Sequence, residues 1–168
     1  MGGKPSYEEL EKKVKLLEEK VVEKAHFEET FHDVVSMFQD IFEKAADGIC
    51  VCHNIADEPY VRFTHWNPRM TEITGYSTEE INRLGWYQTM YPDPEVQQHA
   101  IERMAKMREG DDIKAEEWVI TSKSGEKKAL SISTSIVKKE DGRIHVIAIM
   151  RDISQRKKAE AALKESEE

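Results

Sequence analysis

The chain is poor in cysteine, lacks any long apolar run and carries no excess of positive charge. Each shortage removes a class of protein. Cys50 and Cys52 are the only two cysteines. They lie one residue apart in a short apolar stretch, on one face of a strand, where they are poorly placed to bridge each other. Two thiols without neighbouring ligands do not make a zinc site, so buried, reduced cysteine is the expectation. No apolar stretch approaches the roughly 18 residues of a membrane span, and the N-terminus lacks the apolar core of a signal peptide. A cytoplasmic segment without membrane insertion is expected. The formal net charge is −8, with 35% charged residues. A non-specific binder of nucleic acid or of anionic membranes needs a dominant basic surface, which this balance does not provide. Neither a nucleophile–base pair nor a metal constellation is evident, so this stretch is expected to be non-catalytic.

Glycine and proline are also absent between Ser6 and Asp47, so nothing interrupts a helix over residues 7–44. Leu10, Val14, Leu17, Val21, Phe31, Val35, Phe38 and Phe42 recur in alternating steps of four and three, with Lys24 and Glu28 in the same series. This is coiled-coil patterning. A long helix so polar at its start gains little alone, and a homodimer through this helix is expected. Its Phe-rich second half is expected to cover one face of the domain that comes after it. Glu29-x-x-His32 has the spacing of a carboxylate-bridged metal motif. With no second copy on the helix it reads as a solvated acidic face.

After Asp47-Gly48 the pattern changes. Residues 49–52 and 60–66 read as strands. In Asn67-Pro68-Arg69-Met70-Thr71-Glu72-Ile73-Thr74-Gly75-Tyr76-Ser77-Thr78-Glu79-Glu80, Asn67 is a good N-cap and Pro68 suits the first helical position. Gly75 can close the helix in the left-handed conformation, and Ser77 with Glu80 forms a capping box for the next one. That second helix runs to about Leu84, and an aromatic-rich segment occupies 86–91. Asp93-Pro94 opens a longer helix through Arg108. Strands are expected at 113–121, 127–139 and 144–153, with turns at Ser124-Gly125 and Glu140-Asp141-Gly142. The order is helix, two strands, three helices, three strands, helix. This is an α+β fold with an antiparallel sheet and helices inserted between its second and third strands. The Ser131, Ser133 and Ser135 row, taken together with Ala148, is expected to form one small-residue face.

These residues resemble a PAS domain over about residues 39–155. The resemblance rests on Asp47-Gly48-Ile49, Trp66-Asn67, Ile73-Thr74-Gly75-Tyr76-Ser77-x-Glu79-Glu80, Tyr91-Pro92-Asp93, Ser124-Gly125 and Arg151-Asp152-Ile153-Ser154, in that order and spacing. The flanks resemble the helical connectors of bacterial sensor histidine kinases and diguanylate cyclases. The resemblance implies a five-stranded antiparallel sheet cupped by helices and a sensory or interaction role in signal transduction. The domains implied are 1–44 as a dimerisation and capping helix, 45–154 as the PAS domain, and 155–168 as the start of a linker to an effector. The chain begins with Met and stops inside Ala161-Ala162-Leu163-Lys164-Glu165, without a phosphoacceptor-His box, an ATP-binding Gly-rich segment or a cyclase signature. It is therefore expected to be the N-terminal piece of a longer signalling protein whose effector is a kinase or cyclase.

The resemblance also implies several site residues. Signal is expected to leave through Asp152, Ile153 and Ser154. Trp66, Trp86, Met90, Met104, Trp118, Ile132 and Ile147 either line an apolar cavity for a small organic ligand or simply fill the core. The alternative to a ligand-binding sensor is a ligand-free dimerisation or protein-interaction module. Haem-binding relatives carry a proximal His on the long helix after a Pro-acid-Pro sequence, and here His99 comes after Pro92-Asp93-Pro94, which makes a haem gas sensor a further alternative. His99 sits at the edge of the stripe Val96, Ala100, Met104 and Met107, and residues 111–122 hold no Arg to contact a bound gas. Light-sensing relatives carry a reactive Cys where this chain reads Leu84-Gly85-Trp86-Tyr87-Gln88. Adduct photochemistry is excluded on residue type, while non-covalent flavin stays open.

Overall fold

The computed structural model describes residues 6–140 and 142–167. Helix α1 (Tyr7–Lys44) is continuous. Ser6 and Glu9 start it with a capping box, in which Glu9 N–H donates to Ser6 Oγ (3.3 Å) and Ser6 N–H donates to Glu9 Oε2 (2.8 Å). As far as Ile41 this helix is a unit by itself. All of its residues from 7 to 41 are exposed, including Leu10, Val14, Leu17, Val21, Phe31, Val35 and Phe38. A coiled-coil stripe is built for a second helix, and one chain offers none. Glu29 and His32 are likewise exposed.

The globular unit begins at Phe42. Its elements are β1 (Gly48–Asn54), β2 (Val61–Trp66), α2 (Pro68–Thr74), α3 (Thr78–Leu84), α4 (Trp86–Met90), α5 (Pro94–Arg108), β3 (Glu116–Thr121), β4 (Lys127–Lys138), β5 (Ile144–Asp152) and α6 (Ser154–Glu167). The sheet runs β2-β1-β5-β4-β3 and every pairing is antiparallel. This is the expected α+β arrangement, with three local differences. The aromatic segment forms a one-turn helix, α4, so four helices are inserted and not three. Strand β2 starts at Val61 because Tyr60 has φ 67, and β3 starts at Glu116 because Ala115 has φ 51. A left-handed residue turns the chain out of the pleat. Ile113, expected at the head of β3, instead plugs the core. Its N–H donates to Thr134 Oγ1 (3.3 Å) and its carbonyl accepts from Thr134 N–H (2.9 Å). In the expected Glu140-Asp141-Gly142 hairpin, Asp141 lies outside the described residues; beside it, Lys139 N–H donates to Arg143 O (3.0 Å).

The helix–corner–helix is held as its capping residues require. Asn67 is fully buried and all its hydrogen-bonding directions are used. Its Oδ1 accepts from Met70 N–H (3.0 Å) and Ile49 N–H (3.0 Å). Its Nδ2 donates to Phe42 O (3.0 Å) and Asp47 O (3.1 Å). One side chain thus caps α2, anchors the start of β1 and satisfies the connector before it. Gly75, with φ 79, closes α2 through its N–H to Thr71 O (2.7 Å). Ser77 and Glu80 form the predicted capping box. Lys123 N–H donates to Thr74 O (2.8 Å) and Lys123 Nζ pairs with Glu80 (2.6 Å), fastening the corner to the β3–β4 turn.

Strand register decides which side chains face the helices. Thr134 lies opposite Ala148, and Ile132 opposite Met150. Cys50, Cys52, Phe63, Leu130, Val146 and Met150 are buried with them, whereas Ile149 and Val137 are exposed. Ser135 lies opposite Ile147 on the other face. Ala148 therefore belongs to the inner face, and the small-residue row on the outer face consists of the serines alone.

Candidate functional site

Between the inner sheet face and helices α4 and α5 lies a cavity of about 30 Å³. That is room for about two water molecules. Trp86, Met104 and Ile132 line it, as expected. The other four pocket candidates do not. Trp66 is half-buried, donates from Nε1 to Thr71 Oγ1 (3.1 Å) and meets Phe63 edge to face at 5.0 Å. Met90 is fully buried without reaching the cavity. Trp118 stacks on His99 at 5.4 Å. Ile147 is on the opposite sheet face, beside Val51 and His145. These corrections share a cause. Apolar side chains in this domain serve an aromatic cluster and two sheet faces as well as the cavity, and only register separates them.

His99 is exposed on α5 and its ring is engaged by Trp118. It does not line the cavity, and the cavity is far smaller than a haem or a flavin. Neither group fits the residues in this conformation. Cys50 and Cys52 are free and buried, and both line the cavity. Burial pushes the Cys50 thiol well up and the Cys52 thiol up to about 11, so both are neutral at physiological pH.

The residues that sequence reasoning missed include Tyr87, Met107, Arg108 and Thr134, all on the cavity wall. Burial raises the Tyr87 hydroxyl's pKa, and the Arg108 guanidinium beside it pulls in the opposite direction. Arg108 lies four residues after Met104 and eight after Ala100, on the stripe that faces the sheet. That phase is the signal that could have found it.

The outer face carries a shallow groove of about 530 Å³, lined by Phe42, Val51 and Ile147 and edged by His53, His145 and Lys139. The His53 and His145 rings lie 5.4 Å apart. Partial burial, with cationic neighbours adding to it, lowers the pKa of His53.

The predicted relay residues lie together at the end of β5. Ser154 N–H donates to Asp152 Oδ1 (2.9 Å), Ser154 Oγ accepts from Ala129 N–H (3.0 Å), and Ile153 N–H donates to Ala129 O (2.8 Å). One turn on, Arg156 and Lys157 pair with Glu117 on β3 at 3.0 and 2.5 Å. At this same end of β5, Asp47, just ahead of β1, pairs with Arg151 at 2.7 Å. Among the described residues no helix is long and apolar enough to cross a membrane, and no group of three or more His, Cys, Asp or Glu is placed to hold a metal.

Solved structures share this architecture. The PAS domain of a protein from Colwellia psychrerythraea matches with a TM-score of 0.60 at 17% identity, over 73% of this chain and 98% of that one. An RNA-binding light-oxygen-voltage receptor matches with a TM-score of 0.59 at 18% identity, over 77% of this chain and 36% of that one, so the chain spans about a third of the receptor's length. A domain of a sensory box sensor histidine kinase/response regulator from Geobacter sulfurreducens matches with a TM-score of 0.56 at 20% identity, over 73% and 96%. No curated protein matches in sequence. A family model described as PAS domain matches residues 46–155. The chain belongs to the PAS family.

Proposed function

We propose that this PAS domain is a sensory module whose cavity takes a small ligand and whose α6 relays the resulting change to an effector. The observation that carries this reading is the join at residues 152–154. Strand β5 passes into α6 with one intervening residue, and hydrogen bonds to Ala129 together with ion pairs to Glu117 tie the first turn of α6 to β4 and β3. A shift of the sheet therefore moves the helix. The stripe of α1 supports a homodimer, and the histidine-kinase neighbour supports a signalling context.

Inserting four residues after Ser154 in the full-length protein rotates the downstream part of α6 by about 40°. Loss or inversion of the stimulus response is expected. A response unchanged in size and sign would refute the rigid relay. A second reading, an interaction module without ligand, is favoured by the small size of the cavity. Native mass spectrometry of the protein as isolated separates the two, because the sensor reading predicts a bound small molecule.

A further inference from the structure

Helix α5 carries two arginines that face inward, and they differ in one respect. Arg103 is fully engaged. Its Nε donates to both Glu116 oxygens (2.9 and 3.1 Å), Nη2 also bonds Glu116, and Nη1 donates to Asp111 O (2.9 Å). Arg108 reaches the cavity instead, and its Nε is buried without any acceptor. Among the described residues no carboxylate pairs with it. Its position at the helix C-terminus complements the dipole, but the dipole supplies no acceptor to Nε. A buried guanidinium N–H without an acceptor is costly, and because no carboxylate neutralises the cation either, an anion is the acceptor that would satisfy both the N–H and the charge.

The surroundings narrow the anion's chemistry. Tyr87 presents a hydroxyl beside the guanidinium. Thr134 lines the same wall, and because its oxygen already accepts from Ile113 N–H, its own proton is available to donate. The Cys52 thiol is neutral and does not act as counter-ion. Much of the remaining wall is apolar, with Met104, Met107 and Met150 contributing. Methionine side chains repack at low cost, so the cavity can enlarge by a few atoms.

We propose, building on the sensor reading, that the ligand is a short-chain carboxylate such as acetate, propionate or butyrate, with its carboxylate on Arg108 and its alkyl end among the methionines. A planar carboxylate matches the guanidinium fork, and the Tyr87 and Thr134 hydroxyls supply further donors.

The test titrates the whole 168-residue chain with sodium butyrate, sodium propionate and sodium acetate, against sodium chloride at equal ionic strength and against butyramide and butanol. Thermal unfolding and tryptophan fluorescence are read together, since Trp86 lines the cavity. The carboxylates are expected to raise Tm saturably and to shift the emission, with the amide and alcohol far weaker. Arg108→Gln is expected to weaken butyrate about 10- to 100-fold, the range for a hydrogen bond to a charged group, and Arg108→Lys to weaken it less. If Arg108→Gln does not fold, the comparison of butyrate with butyramide on the wild type decides. Carboxylates acting no better than chloride would overturn the proposal, as would butyrate binding Arg108→Gln at wild-type strength. Butyramide or butanol binding as tightly as butyrate would overturn the anion assignment and leave the ligand-bearing cavity standing.

Discussion

Replacing Asn67 tests how far one buried side chain holds the domain together. In Asn67→Ala four hydrogen bonds are lost at once: two to N–H groups and two to carbonyls. Loss of the α2 cap costs about 1 kcal/mol. The position is fully buried, so groups left behind are poorly reached by water, at about 1–3 kcal/mol each. With the Ile49 N–H and one carbonyl stranded, the total is at least about 3 kcal/mol, a large share of the roughly 5–15 kcal/mol that folds a domain. The expected fall in Tm is at least about 6–12 °C. Asn67→Asp separates the two halves of the interaction. It keeps the acceptor for Ile49 and Met70 but turns a carboxylate oxygen toward the carbonyls of Phe42 and Asp47, where the amide donated. Ionisation is disfavoured there, so the folded pKa of the new carboxyl lies above the unfolded value of about 3.9. The folded state then holds its proton more tightly. Relative to wild type, stability should fall as pH rises from about 4 through the folded pKa, and recover on acidification. Urea unfolding followed by tryptophan fluorescence measures both variants. An Asn67→Ala protein within about 0.5 kcal/mol of wild type, the range of an ordinary surface change, would refute the reasoning.

Two further outcomes rest on the same kind of geometry. Gly75→Ala forces a side chain into φ 79, where its Cβ would lie 2.9 Å from Lys123 Cβ. A loss of at least about 1–2 kcal/mol in urea unfolding is expected, and an unchanged midpoint would exclude strain at the corner. Lys157, with Arg156 assisting, holds the Glu117 carboxyl below its ordinary 4.5. A lowered folded pKa contributes fully above the unfolded value and is lost as pH falls through the folded one. The attachment of α6 to β3 should therefore persist at pH 4.5 and fail only below it, while Glu117→Gln loosens it at pH 7. Hydrogen exchange in the first turns of α6 reads this, and identical protection in Glu117→Gln would contradict it.

What could be read from the chain divides by the range of the interaction that fixes each feature. The caps of the corner from Asn67 to Glu80 were legible, because caps and left-handed glycines are satisfied within four residues, whereas the bonds of Asn67 to Phe42, Asp47 and Ile49 are long-range and were not. Strand β4 was legible because serines alternate with Leu130, Ile132 and Thr134. Strand β5 was legible as a strand but its facing was not, since Val146, Ala148 and Met150 are as apolar as Ile147 and Ile149, and only pairing with β4 decides which set turns inward. Ile147 was misplaced for that reason. Trp66 and Trp118 were expected at the cavity because large aromatics favour the interior, yet each also has an N–H that draws it to a polar partner, Thr71 and Glu116 respectively. Arg108 was overlooked because a basic residue in a last helical turn already has a local explanation.

Asp47, just ahead of β1, pairs with Arg151 on the neighbouring β5, and Gly48 lies directly opposite Met150. The chain thus enters the sheet and leaves it on neighbouring strands, about 4.8 Å apart. Everything between, from β2 through the helices to β4, hangs as one long excursion from that narrow neck. A domain built this way can be added to or removed from a series of helical segments while hardly changing the distance those segments span. Lengthening a receptor by duplicating such a unit would then require little readjustment of the parts on either side.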